Sequence, residues 1–194
     1  EFAKQVAGQW HQSPLTADVL MGALSRALPD DVAIVEEAVT THRNRLEMLG
    51  AIRNPRRLFA HRGWALGWGI GCAIGVQLAW PETPVVALIG DGAALYGIQG
   101  LWTAARYQIP VVFVICNNRQ YKILKDCSER MPLPNFSSGQ FLGMDLIQPD
   151  VDFVGLSQSL GVQATRVQTA DDLVDQLGQA FARRQPYLID VALE

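Results

Sequence analysis

Two uninterrupted apolar runs stand out against the polar positions of the chain, Val85-Val86-Ala87-Leu88-Ile89 and Val111-Val112-Phe113-Val114-Ile115-Cys116. The first stops at Gly90-Asp91-Gly92 and the second at Asn117-Asn118, so each short β-branched run ends on glycine or oxygen-bearing residues. Such runs predict strands, and the segment Gly97 to Tyr107, closed by Pro110, predicts one helix between them. The pattern is that of a βαβ unit. A parallel pair joined by a right-handed crossover brings both carboxyl ends to one edge of the sheet, which makes Asp91 and Asn118 spatial neighbours. Ligands of open α/β sheets bind at that edge.

The remaining chain continues the alternation. Ser13-Pro14 reads as an N-cap followed by proline at the first helical position, and Leu20, Leu24, Ala27 and Leu28 carry one apolar face, predicting a helix from Pro14 to Leu28. Val32 to Val35 predicts a strand ending in Glu36-Glu37, followed by a loop through Thr40 and a basic helix of about Thr41 to Leu49. Asn54-Pro55 breaks that helix, and Leu58-Phe59-Ala60 is a weak strand signal. Trp64 to Trp80 is the most apolar window, but its 17 residues fall short of the roughly 20 that a spanning helix wants. It is also rich in glycine, which costs about 0.8 to 1 kcal/mol per helix-interior position relative to alanine. Close approach by another backbone or by a cofactor would compensate, and a tightly packed helix without a ligand role is the alternative. No G-x-G-x-x-G dinucleotide fingerprint fits there, since Cys72 and Ile74 stand where a third glycine is wanted. Residues 122 to 150 have no clear period, as in a functional lid or mobile segment. A helix from Phe153 to Leu160, a strand at Thr165 to Val167, a helix capped by Thr169 and a strand from Tyr187 to Val191 complete the pattern. The whole predicts an α/β fold, a doubly wound, mostly parallel sheet of about six strands with helices on both faces, in a single domain spanning residues 1 to 194.

Composition narrows the function classes. A net charge of -3 and a pI near 5.6 give no reason to expect nucleic acid or an anionic membrane as partner. The cluster Arg43, Arg45, Arg53, Arg56, Arg57 and Arg62 is interleaved with Leu46, Met48, Leu49 and Ile52, the pattern of a solvated helix face. Three cysteines form no C-x-x-C pair, and Cys72 and Cys116 lie in apolar runs, which points to a reducing, cytoplasmic setting. No signal peptide is visible, and the start Glu1-Phe2-Ala3 reads as though the chain began within a longer protein.

One carboxylate and one amide oxygen at a strand edge suit magnesium, which takes oxygen ligands and engages one or two carboxylates plus phosphates and water. Glycines on either side of Asp91 allow a sharp turn after the strand, and the following helix start favours a phosphate. A backbone carbonyl just beyond Asn118, that of Gln120, would complete the protein's share. Cys/His spacings for zinc are lacking. Asp91 as a helix cap and Asn118 as a turn residue are the plain alternatives, and their joint occurrence on adjacent strand ends favours the metal.

Gly90-Asp91-Gly92 followed by Asn117-Asn118 resembles the magnesium-diphosphate motif of thiamine-diphosphate-dependent enzymes. Leu66-Gly67, Ala73 to Ala79, Leu101 to Ala105, Tyr107, Ile109-Pro110 and Tyr121 are also similar to the C-terminal domain of benzoylformate decarboxylase and its acetolactate-synthase-like relatives. The resemblance covers nearly the whole chain. It implies thiamine diphosphate and Mg2+ as cofactors, with Asp91, Asn118 and the Gln120 carbonyl on the metal. It implies Thr40, Thr41, Gly90, Gly92, Ala93 and Tyr121 along the diphosphate and backbone at Trp64 and Leu66 near the aminopyrimidine. The Leu66 side chain falls where these enzymes hold the cofactor in its bent form.

The resemblance also implies an essential glutamate on an N-terminal domain that these residues lack, so the chain is expected to be a fragment or one subunit of a split enzyme, in a homodimer or homotetramer, and inactive alone. The expected function is a 2-oxo acid decarboxylase of the benzoylformate type. An acetolactate-synthase-like carboligase or acyl-coenzyme A lyase is the first alternative, and a nonenzymatic binding domain or inactive paralogue the second. Ala60, Asp126 and Cys127 replace aromatic pocket residues, and Trp64 and Ala93 are further departures. The apolar loop residues Met131, Phe136, Phe141 and Leu142 are candidates to refill the pocket, while His42 and His61 are read as structural.

Overall fold

The structure is a computed structural model that describes residues 1–43, 45–60, 63, 65–131 and 141–194. In chain order the elements are α1 (Phe2–Gly8), α2 (Ala17–Ala27), β1 (Ala33–Glu37), α3 (Val39–His42), α4 (Arg45–Met48), β2 (Leu58–Ala60), α5 (Gly69–Ala79), β3 (Val85–Gly90), α6 (Asp91–Ala94), α7 (Gly100–Tyr107), β4 (Val111–Asn117), α8 (Lys122–Ser128), α9 (Phe153–Ser159), β5 (Gln163–Val167), α10 (Ala170–Arg183) and β6 (Tyr187–Ala192). The strands form one six-stranded sheet in the order β2-β1-β3-β4-β6-β5, and every pairing is parallel. Parallel sheets require both faces to be covered, which is why β3 and β4 are apolar at nearly every position. Val86, Leu88, Val112 and Val114 face α2 and α10, while Val85, Ala87, Val111 and Phe113 lie in the opposite core with residues of α5, α7 and α9. The order of strands reverses between β1 and β3, and in doubly wound sheets a crevice opens at the carboxyl ends of the strands at such a switch point.

Several expected boundaries move, each for a local reason. The first long helix starts at Ala17 rather than Pro14, because Leu15 pairs in extended backbone with the chain's end, its N–H donating to the Ala192 carbonyl at 3.2 Å. Thr16 is the true N-cap, its hydroxyl accepting from the Val19 amide at 3.1 Å. Helix α1 has no counterpart in the expected pattern. Val6 is its one buried residue, seated over Gly22 where an added Cβ would come within 2.4 Å of Val6 Cγ1. The basic helix expected over Thr41 to Leu49 is split into α3 and α4 at Arg43, whose φ of 35° is left-handed. The segment from 122 contains α8, which buries none of its residues and therefore leaves no apolar period. Helix α5 begins at Gly69, and the crossover helix α7 at Gly100 is preceded by the separate short helix α6. Among the described residues, no helix is long and apolar enough to cross a membrane.

Candidate functional site

At the switch point, strand register decides what meets what. Gly90 pairs with Cys116 across β3 and β4, and Ile89 pairs with Glu37 across β3 and β1. The first residues beyond all three strands therefore share one edge. Asp91 is 4% exposed, and its carboxylate is fixed by backbone amides from both sides of the crevice. Oδ1 accepts from the Gly92 N–H at 2.7 Å, and Oδ2 accepts from the Arg119 N–H at 2.5 Å. Burial pushes the Asp91 carboxyl up to about 6, against the opposing pull of the amides of Gly92, Arg119, Gln120 and Asn118. A buried anion whose partners are neutral amides is a group that a cation would stabilise.

The Asn-Asn pair divides its work. Asn117 points into the sheet, its Nδ2 donating to Asp190 Oδ1 at 2.9 Å, whereas Asn118 turns toward the crevice and its Oδ1 accepts from the Gln120 N–H at 3.2 Å. Asp91, Asn118 and Gln120 line one cleft, together with Thr40, Thr41, Leu66, Gly90, Gly92, Ala93 and Tyr121. All the expected site residues are thus brought together, except Trp64, which lies outside the described residues. Thr40 and Thr41 lie on the one-turn helix α3, and Arg45 holds that turn by donating from Nη1 to the carbonyls of Thr40 and Thr41 at 3.3 and 3.0 Å. Leu66 is 40% exposed although it is a large apolar side chain, and so is not ordinary core.

The glycines flanking Asp91 are not there for a sharp turn. Gly90 has φ of -65° and Gly92 is helical, so neither needs a left-handed backbone. Gly92 is required for space, since a Cβ there would lie 2.3 Å from Tyr121 Cε1. Gly67 is different, with φ of +95° and a would-be Cβ only 2.6 Å from Tyr96 Cβ. In the glycine-rich stretch, close approach accounts for Gly67 and Gly69 but not for Gly71 and Gly75, which face open space.

The donor set is one carboxylate with neutral oxygens. Among the described residues, no group of three or more His, Cys, Asp or Glu side chains is placed to hold a metal. Hard oxygen donors in that mixture fit magnesium rather than zinc. His42 is buried between Glu36 and Glu47 and does not line the cleft, whereas His61 and Phe136 lie outside the described residues. Met131 and Leu142 are exposed and do not line the cleft, while Asp126 pairs with Arg43 and Lys122. Sequence reasoning missed Glu37, Lys122 and Ile123, which also line the cleft. For Glu37 a signal existed, a carboxylate at the end of a strand entering the same edge.

The family model described as "Thiamine pyrophosphate enzyme, C-terminal TPP binding domain" matches residues 38–191. Benzoylformate decarboxylase of Pseudomonas aeruginosa is 34% identical over 181 residues, covering 92% of this chain and 32% of that protein. The acetolactate synthase large subunit of Parasynechococcus marenigrum is 30% identical over 188 residues, covering 92% of this chain and 29% of that protein. Among solved structures, the thiamine diphosphate-dependent 4-hydroxybenzoylformate decarboxylase of Rhodococcus jostii RHA1 superposes with a TM-score of 0.81 at 34% identity, covering 94% of this chain and 33% of that one. The chain therefore spans about a third of the length of these relatives. With a matching sheet, a cleft at its switch point and a family match over most of its length, the chain belongs to the thiamine pyrophosphate enzymes, as their C-terminal cofactor-binding domain.

Proposed function

We propose that this chain grips the diphosphate end of thiamine diphosphate through Mg2+ and forms the C-terminal part of a 2-oxo acid decarboxylase of the benzoylformate type. The observation that carries the reading is the buried Asp91 carboxylate at the end of β3, facing Asn118 and Gln120 at the end of β4. Asp91, the Asn118 side-chain oxygen and the Gln120 carbonyl are the residues that would hold the metal. Thr40, Thr41, Gly90, Gly92, Ala93 and Tyr121 would line the diphosphate, and Leu66 would support the thiazolium side, with Trp64 carried over from the family pattern. When bound, the cofactor supplies a nucleophilic carbon and a sink for the electrons released as carbon dioxide leaves. The chain's own contribution is binding and orientation. Asp91 offsets metal charge, Gly92 clears space for the Tyr121 ring, and Leu66 presents an apolar surface beside the polar cleft.

The acid-base group that activates the cofactor belongs, in this reading, to an N-terminal domain or partner subunit of a homodimer or homotetramer. Two features support it: the chain covers about a third of its relatives' length, and the apolar Leu66, which lines the cleft, is left exposed. The similarity to acetolactate synthase large subunits favours a carboligase as the second reading. Titration calorimetry of the 194-residue chain with thiamine diphosphate, with and without Mg2+, tests the first statement. The expected result is weak, magnesium-dependent binding that Asp91→Ala abolishes, with no turnover of pyruvate or benzoylformate. Binding that ignores both magnesium and Asp91 would overturn it, and carbon dioxide release by the isolated chain would overturn the need for a second domain. With the full-length protein, product analysis on the same two substrates separates decarboxylase from carboligase.

A further inference from the structure

Helix α5 starts at Gly69 behind Trp68, and no side chain of its own first turn caps it. Its leading amides are satisfied from a strand 32 residues earlier: the Gly69 N–H donates to Glu37 Oε2 at 2.8 Å and the Gly67 N–H donates to Oε1 at 2.6 Å. The Trp68 amide also points to this carboxylate. Glu37 is 4% exposed, and burial pushes its carboxyl upward against those amides and the neighbouring Glu36 adds to the rise. A buried carboxylate is a costly way to cap a helix that a serine or aspartate at the cap position would serve. What it achieves beyond a cap is to seize the backbone on both sides of Trp68, immediately after Leu66.

The opposite side of the same segment is equally constrained. Gly67 lies against Tyr96, and a Cβ on Gly97 would come within 2.6 Å of the Gly67 carbonyl oxygen. Gly69 lies against Glu37 Oε2 and Ile89 Cδ1, at 2.6 and 2.5 Å from its would-be Cβ. The 66–69 segment is therefore clamped between the Glu37 carboxylate from β1 and the turn at Tyr96 and Gly97 that follows α6. Leu66, projecting into the cleft, has its backbone set by that clamp.

We infer that Glu37 is a positioning residue: it fixes the 66–69 backbone so that Leu66 meets the organic half of the cofactor, without taking part in gripping metal or diphosphate. This rests on the cofactor reading above and adds a division of labour to it. Substitution at Glu37 separates two affinities that a general structural defect would lower together.

The test uses the 194-residue chain with Glu37→Gln, which keeps the side chain's shape but places an amide donor against one of the two N–H groups. Hydrogen exchange at Gly67 and Gly69 is expected to rise about tenfold, with Gly92 and Arg119 changing less than about twofold. Affinity for thiamine diphosphate with Mg2+ is expected to fall about tenfold, and affinity for inorganic diphosphate with Mg2+ to stay within about twofold. Leu66→Ala should reproduce the selective loss of thiamine diphosphate affinity without raising exchange at Gly67 and Gly69, and if the Gln variant folds poorly, Glu37→Asp, whose shorter side chain cannot reach both amides, is read by the same exchange and affinity measurements. Parallel loss of both ligands, or no change in either, overturns the proposal. If the wild-type chain binds neither ligand, the cofactor reading fails, and the exchange measurement alone upholds or overturns the clamp.

Discussion

The two walls of the cleft are built on opposite plans. The wall from β3 and β4 places Asp91 and Asn118 one residue beyond the ends of two fully paired strands, and backbone amides of the residues that leave those same strand ends fix them, Gly92 and Arg119 for Asp91 and Gln120 for Asn118. The wall from β1 and β2 places its groups farther out, Thr40 and Thr41 on a one-turn helix and Leu66 in the segment that leads from β2 to α5. Long side chains reaching from outside the cleft-lining turns fix this wall: Glu37 reaches Gly67 and Gly69, and Arg45 joins the Thr40 and Thr41 carbonyls to Asp18. The first wall inherits the rigidity of the sheet, because its groups cannot move without breaking strand pairing. The second is adjustable by substitutions that leave the sheet intact. Metal grip and cofactor orientation should therefore respond to different mutations.

The strongest test of that separation is Asp91→Ala. Loss of the one carboxylate on the rigid wall should weaken magnesium-dependent binding of thiamine diphosphate by more than about 100-fold, or roughly 3 kcal/mol, read by calorimetry at fixed magnesium. Retained affinity would mean that the other wall carries the cofactor. Next in size is Gly67→Ala. The added Cβ meets Tyr96 Cβ at 2.6 Å and its backbone at 3.1 Å, in a left-handed conformation that alanine resists. Overpacking and backbone strain together should cost about 2 kcal/mol in urea unfolding. Gly71→Ala, in open space on the same stretch, is the control and should be neutral or slightly stabilising. Equal effects at the two glycines would show that spacing along α5, rather than contact at its start, governs the stretch.

The difference between the walls also governs what the sequence disclosed. The strands β2, β3 and β4, the parallel order and the Asp91–Asn118 pairing were legible because they depend on local apolar runs and on the geometry of one crossover. Thr40, Thr41 and Leu66 were assigned through the family resemblance, since nothing in their neighbours' pattern marks them. Glu37 carried a signal in its place at a strand end, but its role escaped because its partners are backbone amides 30 and 32 positions away, and no residue-type pattern encodes a bond to backbone. The split of the basic helix escaped for a similar reason. Arg45 reads as one more helical cation, yet its guanidinium takes the carbonyls that would have continued the helix. The start of α2 was misplaced because Leu15 is recruited into pairing with Leu193, a contact across almost the entire chain.

Arg45→Met sharpens the comparison on the adjustable wall. It removes the two carbonyl contacts and the Asp18 pair while keeping the apolar stem, and should cost about 1 kcal/mol, with faster exchange confined to residues 39–43. Faster exchange at Gly92 or Arg119 would show that the walls are coupled.

The smallest expected effect concerns pH, and again belongs to the β1 side. His42 is buried, which by itself would lower its pKa from 6.5, but Glu36 and Glu47 outweigh this and raise it. Its Nδ1 lies 3.6 Å from Glu36 Oε2 and its Nε2 3.1 Å from Glu47 Oε2, so the imidazolium ties α3 and α4 to the end of β1. Because the folded state holds the proton more tightly than the unfolded chain, this contribution is complete below 6.5 and is lost as pH rises through the raised folded value. Asp91 and Glu37, also raised, lose stability in the same direction as they ionise, so the slope of the intact protein is a sum. The His42 share is the part that His42→Gln removes. Urea midpoints measured from about one pH unit below 6.5 to about two units above it should fall more steeply in the wild type than in the variant. Identical slopes would mean that His42 stays neutral between its two carboxylates, and that the β1 wall is held by Glu37 and Arg45 without it.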